Sequence, residues 1–370
     1  MTIYFVLVVC ILFLMLLDKS GGSLIKDEKR SNLILLFSFI LIYLVCVLRS
    51  PSVGRDIPGY QEAYNWTKMV AFDNFDYIYF ENGYILFMKL CIKLKLSFQG
   101  FLAVVYVVIL YPIYLFIKKY STDKLFSTLI YICYIIFEFD LTGLRQAMAM
   151  SIVFLAFITF LEAPKFPKIL FIILVLFAAT FHKSAYIALV FLPLVMIRSI
   201  SWYTASMVAA TGASLLARTY LFSYIKNLFE KESFSLDAGL HIGGNVIFMC
   251  AIVIFVLYVG KVQNSLNMKN SKADLSECVK KYDTDEFMLK AFMFGIVLAI
   301  FFGNETSARS FMFFSQAIII LIPNLSLKFD EKSRFIFKGV FVLFFIIFFY
   351  FNTLTGSNFD IVPYSFFWNT

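Results

Sequence analysis

FQGFLAVVYVVILYPIYLFI, residues 98–117, runs for twenty residues without one charged side chain. As a helix it spans about 30 Å, the thickness of a bilayer's hydrocarbon core. It is apolar all round, with no period-two alternation of a barrel strand, so its amides must be paired within the segment. Working outward, comparable runs occupy 3–17, 32–48, 125–141, 146–161, 169–182, 185–198, 203–222, 242–260, 287–302, 309–325 and 335–352, each flanked by a short polar break. The pair 169–182 and 185–198 reads either as two crossings or as a re-entrant hairpin. The expectation is an all-α, polytopic membrane protein of ten to twelve transmembrane helices, with residues 1–370 as one membrane domain and no soluble domain of useful size. Composition agrees, at 61% hydrophobic, 19% aromatic and 15% charged. Nothing basic precedes 3–17 and no small-residue cleavage pattern follows it, so it reads as a retained helix.

Charge orders the loops. The segments 18–31, 118–124, 162–168, 198–202, 261–286 and 326–338 carry 19 basic residues, 16 of them lysine, and are assigned to the cytoplasm. The net charge of +8 then reads as lysines facing an anionic leaflet, with no nucleic-acid partner implied. The longest of these loops, 261–286, holds no Gly-rich phosphate cradle, which excludes nucleotide-sugar or ATP chemistry there. The opposite face receives both termini, the long loop 49–97, the breaks at 143–145 and 182–184, loop 223–241, the break at 303–309 and the tail 353–370. Within 49–97, ENGYILFMKLCIKLKLS (81–97) mixes Lys89, Lys93 and Lys95 with apolar residues. It is read as an amphipathic helix lying in the outer interface; a true crossing would invert every later assignment. The six cysteines show no paired spacing, and neither disulfides nor a metal site is expected of them.

Five of the eight arginines, Arg49, Arg55, Arg145, Arg218 and Arg309, fall on the face where positive charge is scarce, and an anionic ligand would explain them. Arg55 and Asp56 sit in a turn shaped by Gly54, Pro58 and Gly59. Arg55 either pairs with Asp56 on a solvated rim or grips a phosphate with its planar fork. Glu138, Asp140, Arg145 and Gln146 gather at a helix junction; Glu138 and Arg145 would share a face if the helix ran unbroken through Gly143. That cluster is a site by the cost of charge in a membrane, or else a buried ion pair that fixes packing. His182 is either a satisfied hydrogen-bonding residue or a base. Arg309 either snorkels at a helix mouth or binds the ligand. No internal repeat of half the chain length is apparent, and few strongly polar residues lie mid-span, both of which speak against a transporter or flippase.

In order along the chain come Gly54-Arg-Asp56 with Tyr60, Glu81-Asn-Gly83-Tyr84, Leu144-Arg145-Gln146 with Ala149, Phe181-His182-Lys-Ser184-Ala, Arg309 with Phe313-Phe314, and Pro363-Tyr364. This series resembles the EpsG-like family of bacterial membrane proteins, relatives of the Wzy-type polymerases of O antigen, capsule and exopolysaccharide. The resemblance spans roughly residues 50–366. One position departs: the family usually has a small residue before the aspartate, where this chain has Arg55. The resemblance implies a GT-C-like, metal-independent and cofactor-free glycosyltransferase of the bacterial inner membrane, with its site toward the periplasm or exterior. It would join repeat units carried on undecaprenyl pyrophosphate, with a flippase and a chain-length regulator as partners besides the lipid bilayer. On that reading Arg145 and Arg309 bind pyrophosphate, with Arg55 added on the charge argument alone, and Tyr60, Tyr84, Gln146 and Tyr364 contact substrate. The base is one of Asp56, Glu81, Asp140 and His182. A glycosyltransferase that uses a single sugar on polyprenyl phosphate remains open as an alternative.

Overall fold

In the computed structural model the described residues are 2–20, 28–163, 165–229, 244–270, 283–302, 304–355 and 359–369. His241, Cys278, Gly303 and residues 271–282 of the long basic loop lie outside them, as does the side chain of Arg218. The described residues form helices and no strand; one isolated bridge joins Arg49 to Phe366. Five helices are long and apolar enough to cross a bilayer, with shorter apolar helices beside them, so the chain is an all-α, multi-pass membrane protein.

Two compact units divide it, Met1–Tyr186 with Ile322–Thr370, and Ile187–Leu321. The first opens with α1 (Thr2–Ser20), α2 (Glu28–Val47), α3 (Ile57–Thr67), α4 (Asn82–Lys93) and α5 (Phe98–Tyr120). It continues with α6 (Lys124–Cys133), α7 (Ile135–Asp140), α8 (Leu144–Glu162) and α9 (Pro167–Ala179). The second unit holds α10 (Ile187–Val195), α11 (Ile200–Phe229), α12 (Gly244–Asn270), α13 (Thr284–Phe302) and α14 (Asn304–Ser315). After α15 (Ile318–Ser326) the first unit closes with α16 (Glu331–Phe348) and a π-turn, Phe349–Leu354.

In the first unit α8 packs on α5 and α9, and α5 on α2. Small buried side chains such as Ala147, Ala149 and Ala156 let α8 sit deep, and Ser151 donates to the Ile109 carbonyl of α5 at 2.8 Å. In the second unit α13 packs on α11 and α14. There the buried Lys290 ammonium bonds the Ile197 carbonyl at 2.7 Å and Glu286 at 2.5 Å.

One helix breaks where the apolar pattern alone predicts continuity. The run 125–141 divides at Tyr134, whose backbone is extended (φ −94°, ψ 161°) and whose ring packs on Phe345 and Phe348. The break expected at 143–145 falls at Gly143 and turns the chain before α8; a Cβ there would meet the Phe139 ring at 2.8 Å. Glu138 and Arg145 therefore do not share a continuous helix face. Hydropathy averages over a window and does not register the bend at Tyr134, because the side chains on either side stay equally apolar.

Two features tie down loop 49–97. Lys89 on α4 is buried, its ammonium bonded to the carbonyls of Ala71 at 2.8 Å, Phe72 at 2.9 Å and Asn74, with the Phe75 ring 4.6 Å away. A charge buried with three acceptors and a ring face is compensated, so it pins residues 71–75 onto the helix. The tail residues 359–367 run along 48–55: Ser365 O accepts from Ser50 N at 2.8 Å, Leu48 O from Phe367 N at 3.0 Å, and Asp360 O from Gly54 N at 2.9 Å.

Candidate functional site

Three chain segments meet at the start of α4. Gly83 donates its N–H to the Thr180 carbonyl at 3.0 Å, and a Cβ on it would lie 2.2 Å from Thr180 Oγ1. Only glycine allows this approach, which brings the residue before α4 against the segment after α9. Glu81 then spans both neighbours. Its Oε2 accepts from Arg145 at 2.6 Å, and its Oε1 accepts from the Lys183 backbone N–H at 3.1 Å and lies 3.3 Å from His182 Nδ1. The three side chains are mostly covered, with Glu81 11%, His182 18% and Arg145 21% exposed.

Arg145 is the second residue of α8, where the helix's own N-terminal field already favours anions. Its guanidinium stands 4.1 Å over the Phe80 ring, it interacts with the Tyr60 hydroxyl, and its Nε is buried without a hydrogen-bond partner. Tyr60, Phe80 and Tyr84 pack on one another at ring separations of 5.6–5.9 Å and form the floor. The Tyr84 hydroxyl is also buried and unbonded.

Burial alone would raise the Glu81 pKa. The adjacent His182 imidazole, the charge of Arg145 and the Lys183 N–H outweigh it and hold the carboxyl at about 2. Glu81 is thus an ionised, fully engaged carboxylate, suited to orienting Arg145 and His182 and unsuited to taking up a proton near neutral pH.

The other acid near this cluster is unencumbered. Asp56 is exposed at the start of α3, one turn before Tyr60; its backbone N–H bonds Thr142 Oγ1 at 3.1 Å, and its carboxylate makes no bond among the described residues. Its neighbour Arg55 pairs with Asp360 of the tail at 3.0 Å, with both side chains more than half exposed. The Arg55–Asp56 contact considered from sequence is replaced by this tail contact.

The remaining candidates lie elsewhere. Asp140 is 2% exposed, its carboxylate bonded by the Tyr131 hydroxyl at 2.8 Å and its carbonyl by the Tyr106 hydroxyl at 3.0 Å. Tyr106 in turn accepts from Arg49 at 2.5 Å. Arg49 is completely buried and also donates to the carbonyls of Val53, at 3.1 Å, and Leu141. Glu138 is buried and accepts from Asn352 and Thr353 in the π-turn at 3.2 and 3.1 Å. Gln146 is buried in α8, and the Tyr364 hydroxyl donates to the Val45 carbonyl at 3.0 Å. Arg309 is exposed in α14 of the second unit. Sequence reasoning passed over Phe80, the Lys183 N–H and Thr142, for backbone donors and ring faces leave no distinctive residue-type signal.

Beside the cluster an open cleft of about 800 Å³ runs between α4 and α9. Glu81, Asn82, Thr180 and Lys183 line its polar end. Against known proteins, the model of the EpsG family matches residues 32–366 of the chain. Comparison with curated proteins and with solved structures gives no match.

Proposed function

This chain belongs to the EpsG family, and from that premise we propose that it polymerises oligosaccharide repeat units carried on undecaprenyl pyrophosphate, at the outer face of the bacterial inner membrane. The observation that carries this reading is Arg145, held by Glu81 and Phe80 behind the polar lining of a large cleft, with its Nε buried and unbonded. A guanidinium held in that way suits phosphate oxygens, which accept two parallel N–H bonds.

In the proposed reaction the bond between the donor sugar's anomeric carbon and the pyrophosphate oxygen breaks. A bond from that carbon to a hydroxyl of the next repeat unit forms, and polyprenyl pyrophosphate leaves with the bonding electron pair. Arg145, with Arg55 in support, stabilises the charge that develops on the leaving oxygen. The hydroxyl proton passes to Asp56 or His182. Glu81 is the positioning residue: its carboxylate is engaged by Arg145 and the Lys183 N–H, which supports assigning the base elsewhere. Asp140 is given no proton-transfer role, since its carboxylate is sealed against Tyr131. Tyr60, Tyr84, Gln146 and Tyr364 act as supports for the site, and no metal is invoked.

The test is Arg145→Ala in the full chain. The protein should insert at its normal level while the ladder of long polysaccharide collapses to single units, a rate loss of roughly 10²–10³. Lysine at the same position should restore only part of the ladder, because it cannot bind two oxygens in one plane. A normal ladder from inserted Arg145→Ala protein removes the proposal.

A further inference from the structure

Glu81, Asn82, Thr180, Lys183 and Tyr186 supply the polar side chains of the cleft. Beyond Asn82 and Thr180 its walls are Leu86 and Leu90 on α4, Phe87 between them, and Phe177 and Phe181 from the other side. None of these five carries a hydrogen-bonding side chain. Leu86, Leu90 and Phe177 are 40%, 46% and 52% exposed, a continuous apolar trough and no isolated surface leucine. Leu86 and Leu90 stand one helical turn apart, so the trough continues for about 6 Å from the first to the second. Its floor is preformed, because Lys89, on the buried side of the same helix, clamps residues 71–74 and so fixes Phe75 in the lining.

The polar end carries the opposite chemistry. The Lys183 side chain is exposed there, and Arg145 lies just behind Glu81 with an unbonded buried Nε. An occupant that matches both ends is an anion attached to a long apolar chain. A sugar or peptide in the trough would desolvate polar groups against walls that cannot bond them.

Resting on the polymerase reading, we propose that the α4–α9 trough is the binding slot for the isoprenoid chain of the lipid-linked substrate. Its first units lie along Leu86, Leu90 and Phe177, and its phosphate end faces Lys183 and Arg145. The occupant is a single-chain lipid phosphate, with a diacyl phospholipid as the rival that the experiment separates from it. Substrate selection then includes the lipid: its first isoprene units are read here, apart from the sugars.

The experiment uses full-length protein in phosphatidylcholine vesicles and a polyprenyl monophosphate with a photoreactive group on its first isoprene units. The probe bears no sugar, so labelling requires no turnover. Label is expected on Leu86, Leu90 or Phe177, and excess unlabelled polyprenyl phosphate should displace it whereas inorganic phosphate should not. Leu90→Trp should cut labelling at least ten-fold. It should also raise KM for polyprenyl-linked donors at least five times more than for donors with a methyl group in place of the isoprenoid tail. Label confined to other helices while the ladder stays intact overturns the slot and leaves the polymerase standing. Equal labelling of the same residues by phosphatidic acid bearing the same photogroup also overturns it. Label at these residues in a protein that makes no polymer from any donor would support the slot and sink the polymerase reading instead.

Discussion

The first unit holds two arginine clusters built from nearly the same residue types, and they differ in what the guanidinium touches. Both leave a buried Nε unbonded and both stand over a ring, but Arg145 pairs with a carboxylate, Glu81, that borders a cleft of about 800 Å³. Arg49 is 0% exposed and is committed to two backbone carbonyls and the Tyr106 hydroxyl, with Asp140 sealed behind that tyrosine. Backbone carbonyls cannot be displaced by a ligand without unfolding something. A carboxylate can be displaced, since an incoming phosphate offers the arginine the same geometry with more charge. Arg49 therefore reads as a lock between loop 49–56 and the end of α7, and Arg145 as a group with a ligand to meet.

The largest effect expected from this contrast is on Arg49. Arg49→Ala leaves the Val53 and Leu141 carbonyls without their donor in a buried site, at roughly 1–3 kcal/mol for each orphaned group. Inserted protein should fall sharply, unlike the normal level expected of Arg145→Ala, as read by immunoblot of washed membranes. Equal protein levels for the two variants would erase the distinction.

A smaller effect tests the tie between Glu81 and its partners. Its folded-state pKa is depressed to about 2 from an ordinary 4.5, so folding favours the ionised form. The stabilisation is complete above the ordinary value and fades as pH drops toward 2. Thermal unfolding of purified protein should therefore lose stability across that window, and Glu81→Gln should flatten this part of the profile. An identical slope in the variant would mean that other carboxylates carry the acid sensitivity.

The smallest structural effect belongs to Arg55. Its pair with Asp360 is exposed on both sides, and such pairs contribute about 0–1 kcal/mol. Asp360→Ala should scarcely move the melting temperature. Arg55→Ala should be equally mild for stability while shortening the polysaccharide ladder if the guanidinium also reaches phosphate. Two ladders of wild-type length would return Arg55 to the rim.

Much of the fold is legible because lipid imposes one demand on every spanning segment, and the apolar runs answer it by length alone. What escapes is where a run bends. Tyr134 breaks a helix inside a stretch whose hydropathy is unchanged, whereas Gly143, which separates Glu138 from Arg145, falls at a polar junction the sequence marks. At the site, Glu81, Arg145 and His182 each stood out as charged or titratable residues at helix ends. Their meeting depends on the fit of Gly83 against Thr180, a contact between positions almost a hundred residues apart that no local pattern encodes. Lys89 was misleading in an instructive way. As text it is a charge among apolar residues and suggests contact with lipid headgroups, whereas its ammonium is satisfied by carbonyls of its own loop.

The tail contact sets an order of assembly. Arg55 and its partner Asp360 are 305 residues apart, and the backbone bonds from residues 50 and 54 reach the same late segment. During synthesis the turn that carries Asp56 must wait, its amides wetted or borrowed, until nearly the whole polypeptide has emerged and threaded. Closing so long a span is entropically costly and slow. The turn beside Asp56 thus stays unfinished while the chain is nascent.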